Sequence, residues 1–428
     1  MRYIIGNGII YDGNIFYPQG SILIDQSEIE QVGPCEKISA EGIEFIDVQG
    51  RLIIPGLLNP HFHFYSSLSP GLSPLKSPKN FTEVLKYFWW PLDQSLDEES
   101  IYYSTLLGAM ESVKYGVTMI FDHHASMNYI SGSLNIIKQA CQLMGIKALL
   151  CYEISNRLNH LCLDQQIEEN LNFHQQNKDS GWCKGILGLH ANFTLDSFNL
   201  EQIKSDFPEN IPIHIHCGED RCDLQYCIEQ GFKGPVDRLN HYNLLSPGSI
   251  LAHCVHLSDR DVSLIKHFNP VVVSNPESNF NNGVGEFNPE IIKRYLVGTD
   301  SMSADMIATH RFHYLTANNS SLPQMGNLIF SHRNSIQQKY FPNTGLLEPG
   351  YKADLAVLDY IPCQQVDLDN VISHLLFGAK TGSTYLTVSD GKIIYAQHNF
   401  TNINEQEIYS QAMKVGEKLK QRFLKCQV

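Results

Sequence analysis

Two histidine pairs have the spacing of metal ligands on a strand. His61 and His63 are separated by one residue in LLNPHFHF, and so are His214 and His216 in IPIHIHCGE. Because alternate residues of a strand point to the same side, each pair can direct two imidazoles to one point. Imidazole is a preferred ligand of Zn²⁺. We predict that His61, His63 and His216 bind a metal ion and that His214 lies one layer deeper, hydrogen-bonded behind them.

A carboxylate, a second acid and a further histidine would complete a hydrolytic site. Asp300 ends the run YLVGTD, where Asp would also suit a helix N-cap. Opposite the two histidine pairs, we predict it as the fourth ligand and as the base for the attacking water. Glu219 follows His216 by three residues, and we predict it as the proton shuttle. His253, in LAHCVH, is predicted to reach the same water.

Three more polar residues close apolar runs and are predicted to bind substrate. His123 lies in FDHH, Glu153 in CYEI and His190 in GLHANF. For His123 and its neighbours Asp122 and His124, helix capping is the alternative to a functional role.

The candidate metal ligands and catalytic residues occur at regular places along the chain. Eight apolar runs alternate with helical stretches such as SLDEESIYYSTLLGAMESVKYG, and each run ends in polar residues. Strands that alternate with helices predict parallel βα units, and eight units predict a (β/α)₈ TIM barrel. The carboxyl ends of such strands meet at one mouth, where active sites form. The runs are LIIPGLLNPHFHF, VTMIFDHH, KALLCYEI, GILGLHANF, IPIHIHCGE, SILAHCVH, PVVVSNPES and RYLVGTD.

The two ends of the chain differ from the middle. Both contain short strand-like runs around Gly, Asn and Asp turns, such as YIIGNGIIYDG and YLTVSDGKIIYAQ. We predict an α/β protein in which residues 1–54 and 345–400 form a small β-sandwich domain. Residues 55–344 would form the metal-dependent barrel, and residues 401–428 a C-terminal amphipathic helix.

Composition excludes some partners. The net charge of −14 repels polyanions, so we predict no nucleic-acid partner. Eleven cysteines without a CxxC pair favour a reducing compartment. The N-terminal apolar runs are short and broken, and no run reaches about 18 apolar residues. These features predict a cytoplasmic protein without a membrane partner.

The metal site is predicted to hold one ion. Two-metal sites on such barrels need a bridging group, often a modified lysine at the fourth strand. Here the fourth run ends in His190, and Lys184 lies at its beginning. Nitrogen ligands with one carboxylate suit zinc, with iron as the alternative.

Several motifs resemble those of the amidohydrolase superfamily. They are PGLLNPHFHF, HIHCGED, LAHCVHLSD, SNPESN and GTDSMSADM. The similarity is to the mononuclear branch that includes cytosine-deaminase-like and triazine-hydrolase-like enzymes. Within that branch, NFTEVLKYFWWPLDQSLDEE and CYEISNR resemble the SsnA aminohydrolase group. The resemblance implies the same roles for the residues predicted above, and it implies a homodimer.

The predicted function is hydrolytic deamination of an aminated nitrogen heterocycle, such as a purine, pyrimidine, triazine or pterin. Glu219 favours release of ammonia, because ammonia needs a proton to leave and chloride does not. A chlorohydrolase and a cyclic amide hydrolase are alternatives on the same site. A non-catalytic scaffold is the alternative of another class.

Overall fold

The protein combines strands from both chain ends with a long alternating α/β region. The computed structural model describes residues 2–157, 162–207, 211–317, 321–379 and 383–427. In chain order the strands are β1 Arg2–Tyr11, β2 Phe16–Asp25, β3 Glu28–Pro34, β4 Glu44–Asp47, β5 Leu52–Pro55, β6 Leu57–Phe62, β7 Val117–His124, β8 Lys147–Tyr152, β9 Cys183–Gly185, β10 Leu187–Ala191, β11 Ile213–Cys217, β12 Ile250–His253, β13 Val271–Ser274, β14 Leu296–Val297, β15 Leu355–Val357, β16 Leu386–Ser389, β17 Lys392–Ala396 and β18 Asn399–Phe400.

Helices connect most of the strands in the middle of the chain. Several begin at capping boxes, as at Asp97 and Ser100, where two side chains satisfy backbone N–H groups that have no helical partner. The helices are α1 Phe81–Val84, α2 Trp90–Ser95, α3 Glu98–Lys114, α4 Ser133–Met144, α5 Leu163–Asn177, α6 Ser197–Asp206, α7 Arg221–Glu229, α8 Pro235–His241, α9 Asp259–Phe268, α10 Pro276–Asn282, α11 Met306–Thr316, α12 Leu322–Gly326, α13 Asn334–Tyr340, α14 Val371–Ser373 and α15 Glu405–Cys426.

The strands that end in polar residues form two parallel sheets. One has the order β6-β7-β8-β9 and the other the order β10-β11-β12-β13-β14. Isolated parallel bridges connect the sheets at both edges, between Phe62 and Asp300 and between Ile154 and Leu189. The fourth predicted strand is therefore two short strands, β9 and β10, because pairing shifts from one sheet to the other at Ile186.

The first predicted strand is also divided. Its first half is β5, which pairs with β1 and β15, whereas its second half is β6, which pairs with β7. Gly56 lies at the break, and a Cβ there would lie 2.2 Å from the hydroxyl of Thr118. Only glycine leaves room for the Thr118 side chain at this point, where the chain leaves one sheet and enters the next.

Strands from the two chain ends form one nine-stranded sheet. Its order is β18-β17-β16-β15-β5-β1-β2-β3, and β4 pairs with β1. The antiparallel pairing of β5 with β15 joins the N-terminal strands to the C-terminal ones. This sheet has its own apolar core, which includes Ile5, Ile22, Ile53 and Leu355.

The parallel sheets have a separate apolar cluster below the site described next. It includes Leu58, Phe121, Leu149 and Val273, one side chain each from β6, β7, β8 and β13. Helix α15 packs on α2 and α3 and buries Phe423 completely. Among the residues described, no helix is both long and apolar enough to cross a membrane.

Candidate metal and catalytic site

The carboxyl ends of the parallel strands surround one cavity. It encloses about 670 Å³ including its open mouth. Most of the residues predicted for chemistry line it or lie directly behind it, because consecutive parallel strands bring their ends to the same side. The titratable residues in its wall are His63, Tyr65, Arg157, His190, His216, Glu219, Asp223 and Asp300.

Three buried histidines direct their Nε2 atoms to one region. The Nδ1 atom of His63 lies 2.5 Å from the carbonyl oxygen of His123, and that of His216 lies 3.0 Å from the carbonyl oxygen of His190. The Nδ1 atom of His61 lies 2.8 Å from His214 Nε2. Metal-bound histidines are held in the same way, with the second ring nitrogen bonded to an outer group.

Asp300 brings a carboxylate to these nitrogens. Its Oδ1 atom lies 2.9 Å from His63 Nε2 and 3.7 Å from His61 Nε2. The Nε2 atoms of His63 and His216 are 3.2 Å apart. In a tetrahedral site with ligands about 2.0–2.1 Å from zinc, ligand atoms lie about 3.4 Å from each other. The three separations given above, 2.9, 3.2 and 3.7 Å, lie on both sides of that value.

The backbone holds two of these residues in an unusual conformation. Asp300 has φ 54° and His253 has φ 72°, in the left-handed region that favours glycine. The N–H of Asp300 donates to the carbonyl of His61 at 3.0 Å, and Ser278 Oγ donates to Asp300 Oδ2 at 2.5 Å. Such conformations often occur at functional sites, where the surrounding structure compensates for the strain.

Glu219 and His253 lie on the other side of Asp300. His253 Nε2 is 3.6 Å from Glu219 Oε2 and 3.8 Å from Asp300 Oδ2. Burial and the nearby charge of Asp300 raise the pKa of Glu219 well above its usual value. Burial would also raise the pKa of Asp300, but the hydrogen bonds from His63 and Ser278 and the charges of His63 and His253 together outweigh burial and lower that pKa to about 2. These opposite shifts favour the protonated form of Glu219 and the ionised form of Asp300.

Glu153 and His123 lie behind the cavity and do not line it. The Oε1 atom of Glu153 is 3.3 Å from His123 Nδ1 and 3.4 Å from His63 Nδ1. Both residues are fully buried. The structure thus brings Glu153 to His63, and direct contact of either residue with a substrate stays a prediction.

His190 is the predicted substrate residue that does line the cavity. Its Nδ1 atom is 3.0 Å from Thr194 Oγ1, and its Nε2 atom is 3.8 Å from Glu153 Oε2. Burial and the nearby guanidinium of Arg157 lower its pKa to about 3, so the imidazole is neutral. A neutral imidazole can donate or accept a hydrogen bond at the cavity wall.

Known proteins share this chain's sequence pattern over most of its length. The profile of the amidohydrolase family matches residues 52–394. The chain belongs to the amidohydrolase family. It is therefore a hydrolase, as predicted, and it carries the family's histidine-rich site.

Two relatives and one solved structure illustrate the match. The 5-methylthioadenosine/S-adenosylhomocysteine deaminase of Syntrophomonas wolfei is 26% identical over 441 residues, which cover 98% of this chain and 99% of that protein. The 5′-deoxyadenosine deaminase of Methanobrevibacter smithii is 28% identical over 427 residues, 94% of each chain. The crystal structure of an adenosine deaminase from Xanthomonas campestris with bound zinc has a TM-score of 0.84 at 18% identity and covers 98% of each chain. The fold is thus of the TIM-barrel type.

The side chains of this amidohydrolase fit a single divalent ion. The Nε2 atom of His61 is fully buried and has no hydrogen-bond partner among the described residues. Burial and neighbouring histidines lower the pKa of His61 and His216 well below the usual value, so both imidazoles are neutral and free to bind a metal ion. Nitrogen donors with one carboxylate suit zinc, the ion bound in the similar adenosine deaminase. The predicted single metal ion is confirmed.

Sequence reasoning missed the residues that contact the three predicted catalytic side chains. Helix α10 supplies Ser278 to Asp300, Asn279 to His253 at 2.8 Å and Asn282 to Glu219 at 3.5 Å. The motif SNPESN was a signal, because it follows the seventh predicted strand directly. Which side chains these residues contact depends on the path of helix α10, so their spacing in the sequence could not predict it.

Aromatic and aliphatic side chains form the outer wall of the amidohydrolase cavity. They include Phe81, Leu85, Trp89 and Phe193. Opposite them, Arg157 lines the cavity and its Nη2 atom lies 2.6 Å from Asp93 Oδ2. A flat, largely apolar molecule with polar edges would match such a wall.

Proposed function

We propose that this amidohydrolase catalyses hydrolytic deamination of an aminated nitrogen heterocycle and releases ammonia. The acid Glu219 carries the proposal. It lines the cavity, its raised pKa favours the protonated form, and it lies within 4 Å of His253. An amino group leaves as ammonia only when a proton is supplied, and a protonated carboxyl group beside the reacting carbon can supply it.

Adenine nucleosides are the first substrate class to test. The relatives compared above are named for deamination of adenosine derivatives. The aromatic wall around Trp89 and Phe193 is suited to stack on a purine ring. The cavity's open mouth leaves room for a substituent on the ring.

We assign the metal ligands as His61, His63, His216 and Asp300. Their nitrogen and oxygen atoms converge, as the separations of 2.9–3.7 Å support. When bound, a divalent ion supplies Lewis acidity, which lowers the pKa of water toward 7 and polarises the substrate.

The proton transfers can be assigned to this chain's own residues. The ionised Asp300 accepts a proton from the attacking water while oxygen bonds to the ring carbon. Glu219 donates its proton to the adjacent ring nitrogen. His253 steadies the water by a hydrogen bond. The proton held by Asp300 passes to the amino group, the C–N bond breaks, and Glu219 recovers its proton from the new hydroxyl group. Substrate and water are thereby converted to keto product and ammonia.

His190, Glu153 and His123 are proposed to serve substrate binding. His190 would do so directly, since its ring lies in the cavity wall. Glu153 and His123 would act through the residues they contact.

The architecture is proposed in finer detail as a closed (β/α)₈ barrel of residues 55–344. The bridges at both sheet edges and the apolar cluster below the site support closure. Residues 1–54 and 345–400 would form a β-sandwich, supported by the separate core of the terminal sheet. Residues 401–428 would form the C-terminal helix. We also propose a cytoplasmic homodimer that acts on small molecules.

Ammonia release by the zinc-loaded protein tests the function. The panel would contain adenosine, 5′-deoxyadenosine, 5-methylthioadenosine, guanine, cytosine, an aminotriazine and an aminopterin, with metal content measured in the same samples. We expect ammonia from at least one compound and its loss in Glu219→Gln with zinc retained. Glu229→Gln, an exposed carboxylate on α7, is the matched control and should keep full activity.

The other outcomes separate the alternatives. Chloride released from a chlorotriazine, without ammonia from any compound, would replace deamination by the chlorohydrolase hypothesis. Ring opening of a cyclic amide would do the same for the amide hydrolase. A protein that binds no zinc would contradict the site itself.

A further inference from the structure

A second cavity lies next to the catalytic one, and helix α10 separates the two. It encloses about 400 Å³ including its mouth. At 3.6 residues per turn, Ser278 and Asn282 share one face of α10, and Pro276 and Phe280 share the opposite face. The first pair lines the catalytic cavity and the second pair lines the new one.

The rim of the second cavity is aromatic. Phe280 is 70% exposed, and its ring lies 5.8 Å from that of Phe312 in an edge-to-face arrangement. Phe287 completes the rim. Of the three rings, Phe280 is exposed, Phe312 is half-buried and Phe287 is buried. Aromatic side chains around a concavity are typical of a site for a flat apolar molecule.

The floor of the second cavity is polar and fully buried. Ser274 and Asn279 both line it and are at most 2% exposed. Ser274 Oγ and Asn279 Nδ2 have no hydrogen-bond partner in the part of the chain that the structure describes. Buried polar atoms without partners are unfavourable, so their presence in a cavity wall indicates a site where a ligand atom can satisfy them.

The hydrogen bonds of His253 determine which group Asn279 offers. Asn275 Nδ2 lies 3.3 Å from His253 Nε2 and can only donate, so Nε2 accepts and Nδ1 carries the proton. Nδ1 then donates to Asn279 Oδ1 at 2.8 Å. The Nδ2 amide of Asn279 remains as a donor, and a ligand must therefore provide an acceptor.

We propose that the second cavity is a regulatory site for a small aromatic molecule that carries a hydrogen-bond acceptor. The ring packs between Phe280, Phe287 and Phe312, and the acceptor bonds to Asn279 Nδ2 and Ser274 Oγ. The ligand reaches the reaction through α10, because Asn279 also holds His253. Occupancy changes the orientation of His253 and so the turnover rate, with little effect on substrate affinity.

Binding of indan-1-one to the zinc-loaded protein, measured by calorimetry, tests the site. Indane is the matched probe, since it has the same ring system without the carbonyl acceptor. We expect indan-1-one to bind at least about fivefold more tightly than indane, as one hydrogen bond provides. Ser274→Ala should reduce that difference, because only the bond to Asn279 Nδ2 then remains. Thr316→Trp, which fills the cavity from the end of α11, should abolish binding and leave basal activity unchanged.

Phe81→Ala, in the wall of the catalytic cavity, is the control and should bind indan-1-one as the wild type does. The wild type should bind indan-1-one at about 10 mM, a concentration at which even a very weak ligand is detected. No binding at that concentration would overturn the proposal. Equal binding by Thr316→Trp, with loss in Phe81→Ala, would also overturn it by assigning the probe to the catalytic cavity.

The kinetic effect rests on the proposed deamination, whereas binding does not. With an active substrate, saturating indan-1-one should change kcat at least twofold and leave KM within about twofold, because the ligand acts on His253 and not on the substrate wall. A purely competitive effect would contradict the coupling. If no substrate releases ammonia, the binding results still decide whether the site exists.

Discussion

Two glutamates near the same histidines have opposite electrostatic surroundings. Glu219 lies at the cavity wall beside the carboxylate of Asp300, and burial and that charge raise its pKa well above the usual value. Glu153 lies behind the wall, close to the side chains of His123, His190 and Arg157. Burial alone would raise its pKa too, but the neighbouring histidines reverse the sign and lower it below the usual value.

The comparison shows that burial does not decide what a carboxyl group can do. Both glutamates are removed from bulk water, and the charges around them determine which holds a proton at neutral pH. A protonated acid in the cavity wall can take part in proton transfer. An ionised carboxylate behind the wall can orient imidazoles and keep them basic enough to bind metal. Four experiments test whether the two glutamates differ in this way.

The largest effect is expected for Glu219→Gln. The amide cannot exchange the proton, so kcat for ammonia release should fall by about 10²–10⁴-fold. Zinc content should stay at the wild-type level, because Glu219 is not one of the four proposed ligands. Steady-state kinetics and metal analysis on the same preparation check both parts. A variant that keeps more than a tenth of wild-type kcat would contradict the assigned role.

Glu153→Gln should act on the metal and not on the proton transfer. Removal of the negative charge beside His63 Nδ1 should weaken zinc binding by about 10–100-fold, as loss of an outer partner of a ligand typically does. Competition with a chelator of known affinity measures the change. Glu169→Gln is the matched control, since Glu169 is also buried but accepts backbone N–H groups of Gly132 and Leu134. Unchanged zinc affinity with a raised KM would assign Glu153 to the substrate instead.

Zinc affinity should rise with pH. Burial would lower the pKa of His63, but the hydrogen bond with Asp300, the charges of Asp300 and Glu153 and the hydrogen bond to the His123 carbonyl together outweigh burial and raise the pKa to about 9. Below that pH the imidazole must release a proton before it binds an ion, so the apparent affinity should increase about tenfold per pH unit from 7 to 9 and then level off. In Asp300→Asn, affinity should be weaker throughout and the slope between pH 7 and 9 should disappear. A wild-type zinc affinity that does not change between pH 7 and 9 would contradict the raised pKa of His63.

The smallest effect is expected for Asp93→Asn. Asp93 is buried and anchors Arg157 at 2.6 Å, while Glu153 lies farther away, at 4.0 Å. Without the charge on Asp93, Arg157 should shift toward Glu153 and away from the cavity. KM should rise about three- to tenfold with kcat nearly unchanged, a range typical of a lost charged contact. Asp237→Asn, in an exposed pair with Arg260, is the control and should not change KM.

The positions of the proposed metal ligands could be predicted because they follow local rules. His61 and His63 alternate along one strand, and the ends of parallel strands meet, so spacing alone placed their rings near His216 and Asp300. The predicted depth of His214 depended on the same alternation, and its ring indeed bonds to His61 from behind. Strand breaks at Gly56 and Ile186 could not be predicted, because each depends on which neighbouring strand offers a partner.

The candidate histidines and carboxylates and the strand ends that carry them could be predicted from the sequence, because period-two alternation and apolar runs are local properties of the chain. The electrostatic surroundings of each acid depend on the tertiary structure. Glu219 and Glu153 are indistinguishable as residues, and the charges beside them come from segments far away in the sequence. Tertiary packing also placed α10 between two cavities, since a helix acquires its two faces only from the elements that pack on either side.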